Sequence, residues 1–191
     1  MFQDSLFAEP APVVKDQNLF FAVFPDMDRA EEMRQFAQQL CDLHELLGDP
    51  ILPKKLHVPL HAFKEFGRLE ESLVQAGKMA GAKVARLIKP FEVTFDRVKS
   101  FPTPDRKPCV LVGDDEGNAP LRELHRQLMT VLGKVKNGKV PGYTPHLTLL
   151  YDEKAVEEEE LAPVTWTARE LVLVHSAGGI YDLRGRWPLQ G

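Results

Sequence analysis

Two short segments hold the side chains most able to do chemistry: His57-Val58-Pro59-Leu60-His61 and His146-Leu147-Thr148-Leu149. An imidazole titrates near pH ~6.5, so the same ring accepts a proton when neutral and donates one when charged. Two such rings facing one phosphodiester can activate an attacking water and protonate the departing oxygen. Each histidine opens a mostly apolar run, and in a strand alternate side chains share a face. On strict alternation His57, Pro59 and His61 point one way with Val58 and Leu60 behind them. His146 and Thr148 likewise share a face, backed by Leu147 and Leu149.

The elements around these segments explain how the two could meet. Asn18–Phe24 reads as a buried strand closed by Pro25-Asp26. Ala30, Met33, Ala37, Leu40 and Leu47 mark a helix ended by Gly48 and Pro50. Leu56–Phe63 is a second strand. Leu69, Leu73, Ala76, Ala80, Val84 and Leu87 mark a second helix, and Phe91–Val98 alternates as a half-buried strand. The order then returns. Cys109–Val112 is a strand, and Leu121, Leu124, Leu128, Val131 and Val135 mark a helix. His146–Tyr151 is a strand, and the acidic stretch Glu153–Leu161 has helical character. Val164–Val174 and Ile180–Pro188 are the last strands. Phe20 lies 37 positions before His57, and Val110 lies 36 before His146. This predicts an α+β, bilobal fold built from a duplicated strand-helix-strand-helix-strand unit. Its antiparallel or mixed sheets would face a central cleft, with one histidine on each side. Residues 1–17 read as a flexible arm, and 18–191 as a single bilobal domain.

Composition narrows the options. The chain has 191 residues, 43% of them hydrophobic, and a formal net charge of -4. That argues against a broad basic surface for duplex nucleic acid, while leaving room for a small basic cleft. Cys41 and Cys109 stand apart without CxxC spacing, so neither a disulfide framework nor a cysteine-rich zinc site is expected. The apolar run Leu19–Phe24 is far too short to span a bilayer, and Met1–Gln17 lacks the basic start and apolar middle of a signal peptide. A cytoplasmic monomer is expected.

The paired motifs resemble the two-histidine (2H) phosphoesterase superfamily, in particular its RNA 2',3'-cyclic phosphodiesterase branch of bacterial 2'-5' RNA ligase-like proteins. The resemblance rests on NLFFAVFPD, LHVPLHAFKEFG, TPHLTLLYD and LVLVHSAGGIYDLRGRWPL, in that order from Asn18 to Pro188. It implies a metal-free, cofactor-free enzyme that opens a 2',3'-cyclic phosphate to a 2'-phosphate. His57 would be the general acid and His146 the general base, although the reverse assignment fits the sequence equally. Thr148 would donate a hydrogen bond to the phosphate. The chain departs from the pattern twice. Pro59 stands where a threonine or serine is usual, and Tyr151 where many relatives carry an arginine. His61 could stand in for the missing hydroxyl, and Tyr151 could donate one hydrogen bond or stack on a base.

An RNA or nucleotide end with a 2',3'-cyclic phosphate is the implied partner. Lys54, Lys55 and Lys64 flank the first motif, and Lys134, Lys136 and Lys139 lie in the glycine- and lysine-rich loop before the second. Lys55, Lys64, Lys136, Lys139 and Tyr143 are the candidate RNA contacts, with Phe66 and Phe101 as further stacking surfaces. His44 and His125 read as surface residues, His175 is ambiguous, and Glu157–Glu160 reads as a solvated face. Two alternatives stay open: a fold that binds nucleotide or RNA ends without turnover, and reversible 2'-5' RNA ligation.

Overall fold

The computed structural model describes residues 17–63, 69–114 and 116–191. Most of the expected arm, together with Lys64 and Phe66, lies outside them. The chain runs β1 (Asn18–Val23), α1 (Met27–His44), a 3-10 turn (Pro53–Lys55), β2 (Val58–Ala62), α2 (Glu71–Ala85), β3 (Phe91–Ser100) and β4 (Lys107–Val112). It continues through α3 (Ala119–Val131), β5 (Leu147–Asp152), β6 (Glu159–Ala168), β7 (Glu170–Ala177) and β8 (Ile180–Pro188). The strands form two four-stranded sheets, β2-β1-β7-β8 and β5-β4-β3-β6, in which every pairing is antiparallel. Each histidine segment is therefore the edge strand of its own sheet, and β2 packs against β5 where the sheets meet.

Three expectations about elements are corrected. β3, which chain order assigns to the first half, pairs with β4 and β6 in the second sheet. The acidic stretch is not helical. Its end enters β6 along β3, and Glu158 pairs with Arg97 at 3.3 Å and Lys99 at 2.6 Å. The single strand read over Val164–Val174 divides at Arg169 into β6 and β7, which belong to different sheets. Apolar residues flank that point on both sides, so only pairing reveals the break.

Alternation gives the first sheet two different faces. Leu19, Phe21, Val23, Leu171 and Leu173 join the main core under the helices. Phe20, Ala22, Val172 and Val174 form a separate apolar cluster on the other face, joined by Phe24 and Tyr181. Helix α2 covers the core side by packing on β7 and β8. Trp187 occupies the space between Gly81 and Gly185, where an added Cβ would come within 2.3 Å of its ring at either position. At the junction, α1 packs on β5, and α3 packs on β2 and β3.

Both edge strands carry a bulge at the same place. Ala22 pairs with Pro59 and Phe21 with His61, so Leu60 is the extra residue in β2. Val110 pairs with Thr148 and Cys109 with Leu150, so Leu149 is the extra residue in β5. Each bulge falls three residues after its histidine. A bulge resets alternation, so residues beyond it exchange faces.

Candidate active site

His57 and His146 stand immediately before β2 and β5, and each is held by the backbone of its own approach. The His57 Nδ1 lies 2.7 Å from the Lys55 carbonyl. The His146 Nδ1 lies 2.8 Å from the Thr144 carbonyl. A carbonyl only accepts, so Nδ1 carries the proton in both rings. That leaves Nε2 as the nitrogen available to a substrate, basic in the neutral ring and a donor in the charged one.

Aromatic rings fix both imidazoles. His57 lies against Phe20 at 5.0 Å, Phe24 at 5.5 Å and Tyr181 at 5.8 Å between centroids. His146 meets the edge of Phe101 at 5.1 Å. Burial pushes the His57 pKa below the ordinary imidazole value, and the charge of His146 lowers it further against the raising effect of the Lys55 carbonyl. Burial also lowers His146, opposed by its bond to Thr144. Burial raises Tyr181, and so does the charge of Tyr151. Where the two edge strands meet, Pro59 of the first sheet and His146 of the second line one pocket together with Phe101 and Thr144.

The other candidate residues lie on the two edge strands and on the 3-10 turn that leads into β2. Pro59 pairs with Ala22 and so shares the face of Phe20 and His57. Its position on an edge strand beside a bulge is one that tolerates the missing N–H. Thr148 is half-buried on the His146 face. Because of the bulge at Leu149, Tyr151 returns to that same face and is 43% exposed. Its position is fixed from behind. Asp152 accepts the N–H groups of Leu47 at 2.6 Å and Gly48 at 2.7 Å, and an added Cβ on Gly48 would stand 2.1 Å from the Tyr151 carbonyl oxygen. The Lys55 ammonium stands 5.7 Å from the centre of the Tyr181 ring.

His61 is a correction. The bulge at Leu60 pairs it with Phe21, on the core side, and its ring meets Phe63 at 5.1 Å. The register sets it on the opposite side of the strand from Pro59, although His61, Pro59 and His146 all line one pocket at the β2 edge. Burial first, then the charges of Lys134 and His125, lower its pKa to about 4. His125 is a second correction, since it is buried and not at the surface. Tyr143 stacks on His125 at 4.4 Å, and its hydroxyl is buried. Lys136 and Lys139 flank an exposed tight turn through Asn137 and Gly138, both in the left-handed region at φ 50° and 72°. That is the geometry an Asn-Gly pair favours. His44 lies 3.4 Å from Glu159, and His175 hydrogen-bonds Gln17 at 3.1 Å.

Sequence reading passed over three residues that the structure brings to the site. Phe24 and Tyr181 wall in His57. Arg106, from the β3–β4 connection, donates to the Tyr151 carbonyl at 2.8 Å. For Tyr181 the available signal was its place after the double glycine Gly178-Gly179, which turns β7 back into β8. Arg106 gave none, because its proximity to Tyr151 depends on β4 pairing with β5. Among the described residues, no group of three or more His, Cys, Asp or Glu side chains is placed to hold a metal ion. No helix among them is long and apolar enough to cross a membrane.

The family model of the 2'-5' RNA ligase superfamily matches residues 18–180. The chain belongs to that superfamily. No curated protein matches it in sequence. Among solved structures, this superfamily member is similar in fold to E. coli LigT complexed with 3'-AMP, with a TM-score of 0.67 at 23% identity over 92% of this chain and 99% of that one. It is also similar to TT0787 of Thermus thermophilus, with a TM-score of 0.66 at 20% identity over 91% and 98%. Usb1 of Kluyveromyces marxianus shares the fold at a TM-score of 0.56 and 14% identity over 93% and 100%.

Proposed function

We propose that this protein hydrolyses the 2',3'-cyclic phosphate of an RNA end or nucleotide to a 2'-phosphate, without a metal ion or cofactor. The observation that carries the reading is the matched anchoring of His57 and His146 by the carbonyls two residues before them. In the proposed reaction, His146 takes a proton from water through Nε2 as the water oxygen attacks phosphorus. His57 gives its Nε2 proton to the 3' oxygen as the bond from phosphorus to that oxygen breaks. The phosphate's own negative charge favours the one protonated ring that burial disfavours in the empty site. Thr148 donates a hydrogen bond to a phosphate oxygen, with Lys55 and Tyr151 at the margins of the same centre. Lys136 and Lys139 offer their exposed turn to the RNA backbone. His61, which pairs with Phe21 beyond the bulge, is given no part in the proposal.

The test is turnover of a 2',3'-cyclic substrate by wild type, His57→Ala and His146→Ala, with chelator present. Loss of one acid–base group costs about 10²–10⁴ in rate. Both variants should fall by that order while their unfolding curves stay near wild type. Near-full turnover by His146→Ala would refute the mechanism. Pro59, in place of a phosphate-binding hydroxyl, favours one rival: retention of the nucleotide or RNA end without turnover. Equilibrium binding measured beside product formation separates the two.

A further inference from the structure

Lys55 bears on His57 by two routes. Its carbonyl accepts the His57 Nδ1 proton at 2.7 Å. Its side chain leaves the same 3-10 turn and puts the ammonium 5.7 Å from the centre of the Tyr181 ring. That ring in turn stands against His57 in a T-shaped contact, 5.8 Å away at 74°. The three residues close a circuit that joins the turn, the approach to β2 and the start of β8.

The corners of this circuit are held from outside it. The Leu52 and Pro53 carbonyls accept the Lys55 and Leu56 N–H groups at 2.8 and 3.1 Å, so the turn fixes the Lys55 backbone. Gly178 and Gly179, left-handed at φ 56° and 76°, turn β7 into β8 and set Tyr181 opposite Ser176. A Cβ on Gly179 would stand 3.9 Å from the Lys55 Nζ, so the ammonium lies against this turn as well as near the ring. Phe20 packs on both rings, 5.0 Å from His57 and 5.6 Å from Tyr181. The two walls differ in security. Phe20 is buried on an inner strand, whereas Tyr181 is half-buried on the edge strand β8. Tyr181 is therefore the wall that needs holding, and a cation near an aromatic ring is attracted to its negative face.

We propose that Lys55 and Tyr181 are a positioning pair for His57: the lysine carbonyl orients the imidazole, and the lysine ammonium keeps the tyrosine ring closed against it. The inference rests on the reading of His57 as the proton donor. In this role the pair acts through His57. With Nδ1 tied to the turn, Nε2 is left for the substrate. With Tyr181 in place water is kept off the ring, whose neutral form burial favours. The titratable groups that bear on His57 are Lys55 from the turn, Tyr181 from β8 and His146 from the approach to β5.

The experiment reads His57 directly, by NMR titration of its ring resonance, identified by its loss in His57→Ala. Tyr181→Phe keeps the ring and should titrate like wild type. Tyr181→Leu opens the wall, and the midpoint should rise toward the ordinary histidine value. Lys55→Met should also raise it, and should weaken the NOE between the Tyr181 and His57 rings, while Lys55→Arg preserves both. Loss of a nearby charge alone would move the midpoint and leave the NOE, so an NOE unchanged by Lys55→Met overturns the proposal. An unmoved midpoint in a folded Tyr181→Leu protein overturns it too. With uridine 2',3'-cyclic phosphate, kcat should fall about tenfold or more in Tyr181→Leu and Lys55→Met, with KM near wild type. A raised KM with an unmoved titration would mean that Tyr181 acts by touching the substrate, and would overturn the pair. Should wild type turn over no cyclic phosphate, the histidine reading fails, and the titrations and NOE alone decide the pair.

Discussion

His125 on α3 donates from Nδ1 to the carbonyl of Leu60, the bulged residue of β2, at 2.8 Å. Its Nε2 faces the Pro141 carbonyl at 3.3 Å, in the segment that leads to His146. One buried ring thus ties the first histidine strand to the approach of the second. His125→Ala leaves the Leu60 carbonyl buried without a donor, at a cost of about 1–3 kcal/mol. His125→Asn, whose amide nitrogen sits near the place of Nδ1, should recover most of that loss. Urea unfolding of the three proteins checks the prediction, and an alanine variant as stable as wild type contradicts it.

Activity should peak on the acid side of pH ~6.5, the unperturbed histidine value. The proposed reaction needs one proton shared between His57 and His146, and burial lowers both rings. The singly protonated pair is most populated between its two macroscopic pKa values, so kcat/KM should trace a bell that declines as pH rises through neutrality. A profile of kcat/KM against pH tests this, and an optimum above pH ~7.5 would exclude the acid–base assignment.

His61 should make the fold sensitive to acid. Its folded pKa of about 4 lies below the unfolded value, so the unfolded chain binds more protons in that window. The stability contribution is complete above pH ~6.5 and is lost progressively as pH falls toward about 4. His57 and His146 act in the same direction, so His61→Leu should flatten the decline without abolishing it. Unfolding free energies at pH ~7.5 and ~5 for both proteins give the comparison, and identical slopes would count against it.

Pro59→Thr should raise turnover. The position shares the His57 face and mirrors Thr148, two residues after its histidine. A hydrogen bond to a charged group is worth about 1.5–3 kcal/mol, which sets an upper bound of roughly tenfold to a hundredfold. Since His61 lies on the other face, it does not compensate for the missing hydroxyl, and His61→Leu should not alter the gain. Unchanged turnover in a folded Pro59→Thr protein would mean that the strand is already shaped around the proline.

The sequence made the two histidine strands legible because local pattern governs them. The apolar spacing of α1 matched its buried residues Ala30, Met33, Ala37 and Leu40. Thr148 and Pro59 fell on the expected face because both precede the bulges. Beyond Leu60 and Leu149 the reading failed for His61, since an inserted residue leaves no trace in hydrophobicity. His125 was misread because charged neighbours surround it on the helix, while its burial comes from a strand 65 positions away. The placement of β3 was equally hidden, because strand pairing is decided by contacts distant in sequence.

The chain order of the two sheets bears on how the protein is made. The second sheet comes from one uninterrupted stretch, β3 to β6, nested between the strands of the first. On a ribosome, that inner unit is complete before β7 and β8 have emerged. β1, which needs β7 as its second neighbour, must wait with one edge open. His146 therefore acquires its sheet first, while the aromatic surroundings of His57 are completed only when Tyr181 arrives on the last strand. An interrupted synthesis that stops short of β8 would yield the His146 strand in its sheet and leave His57 without its Tyr181 wall.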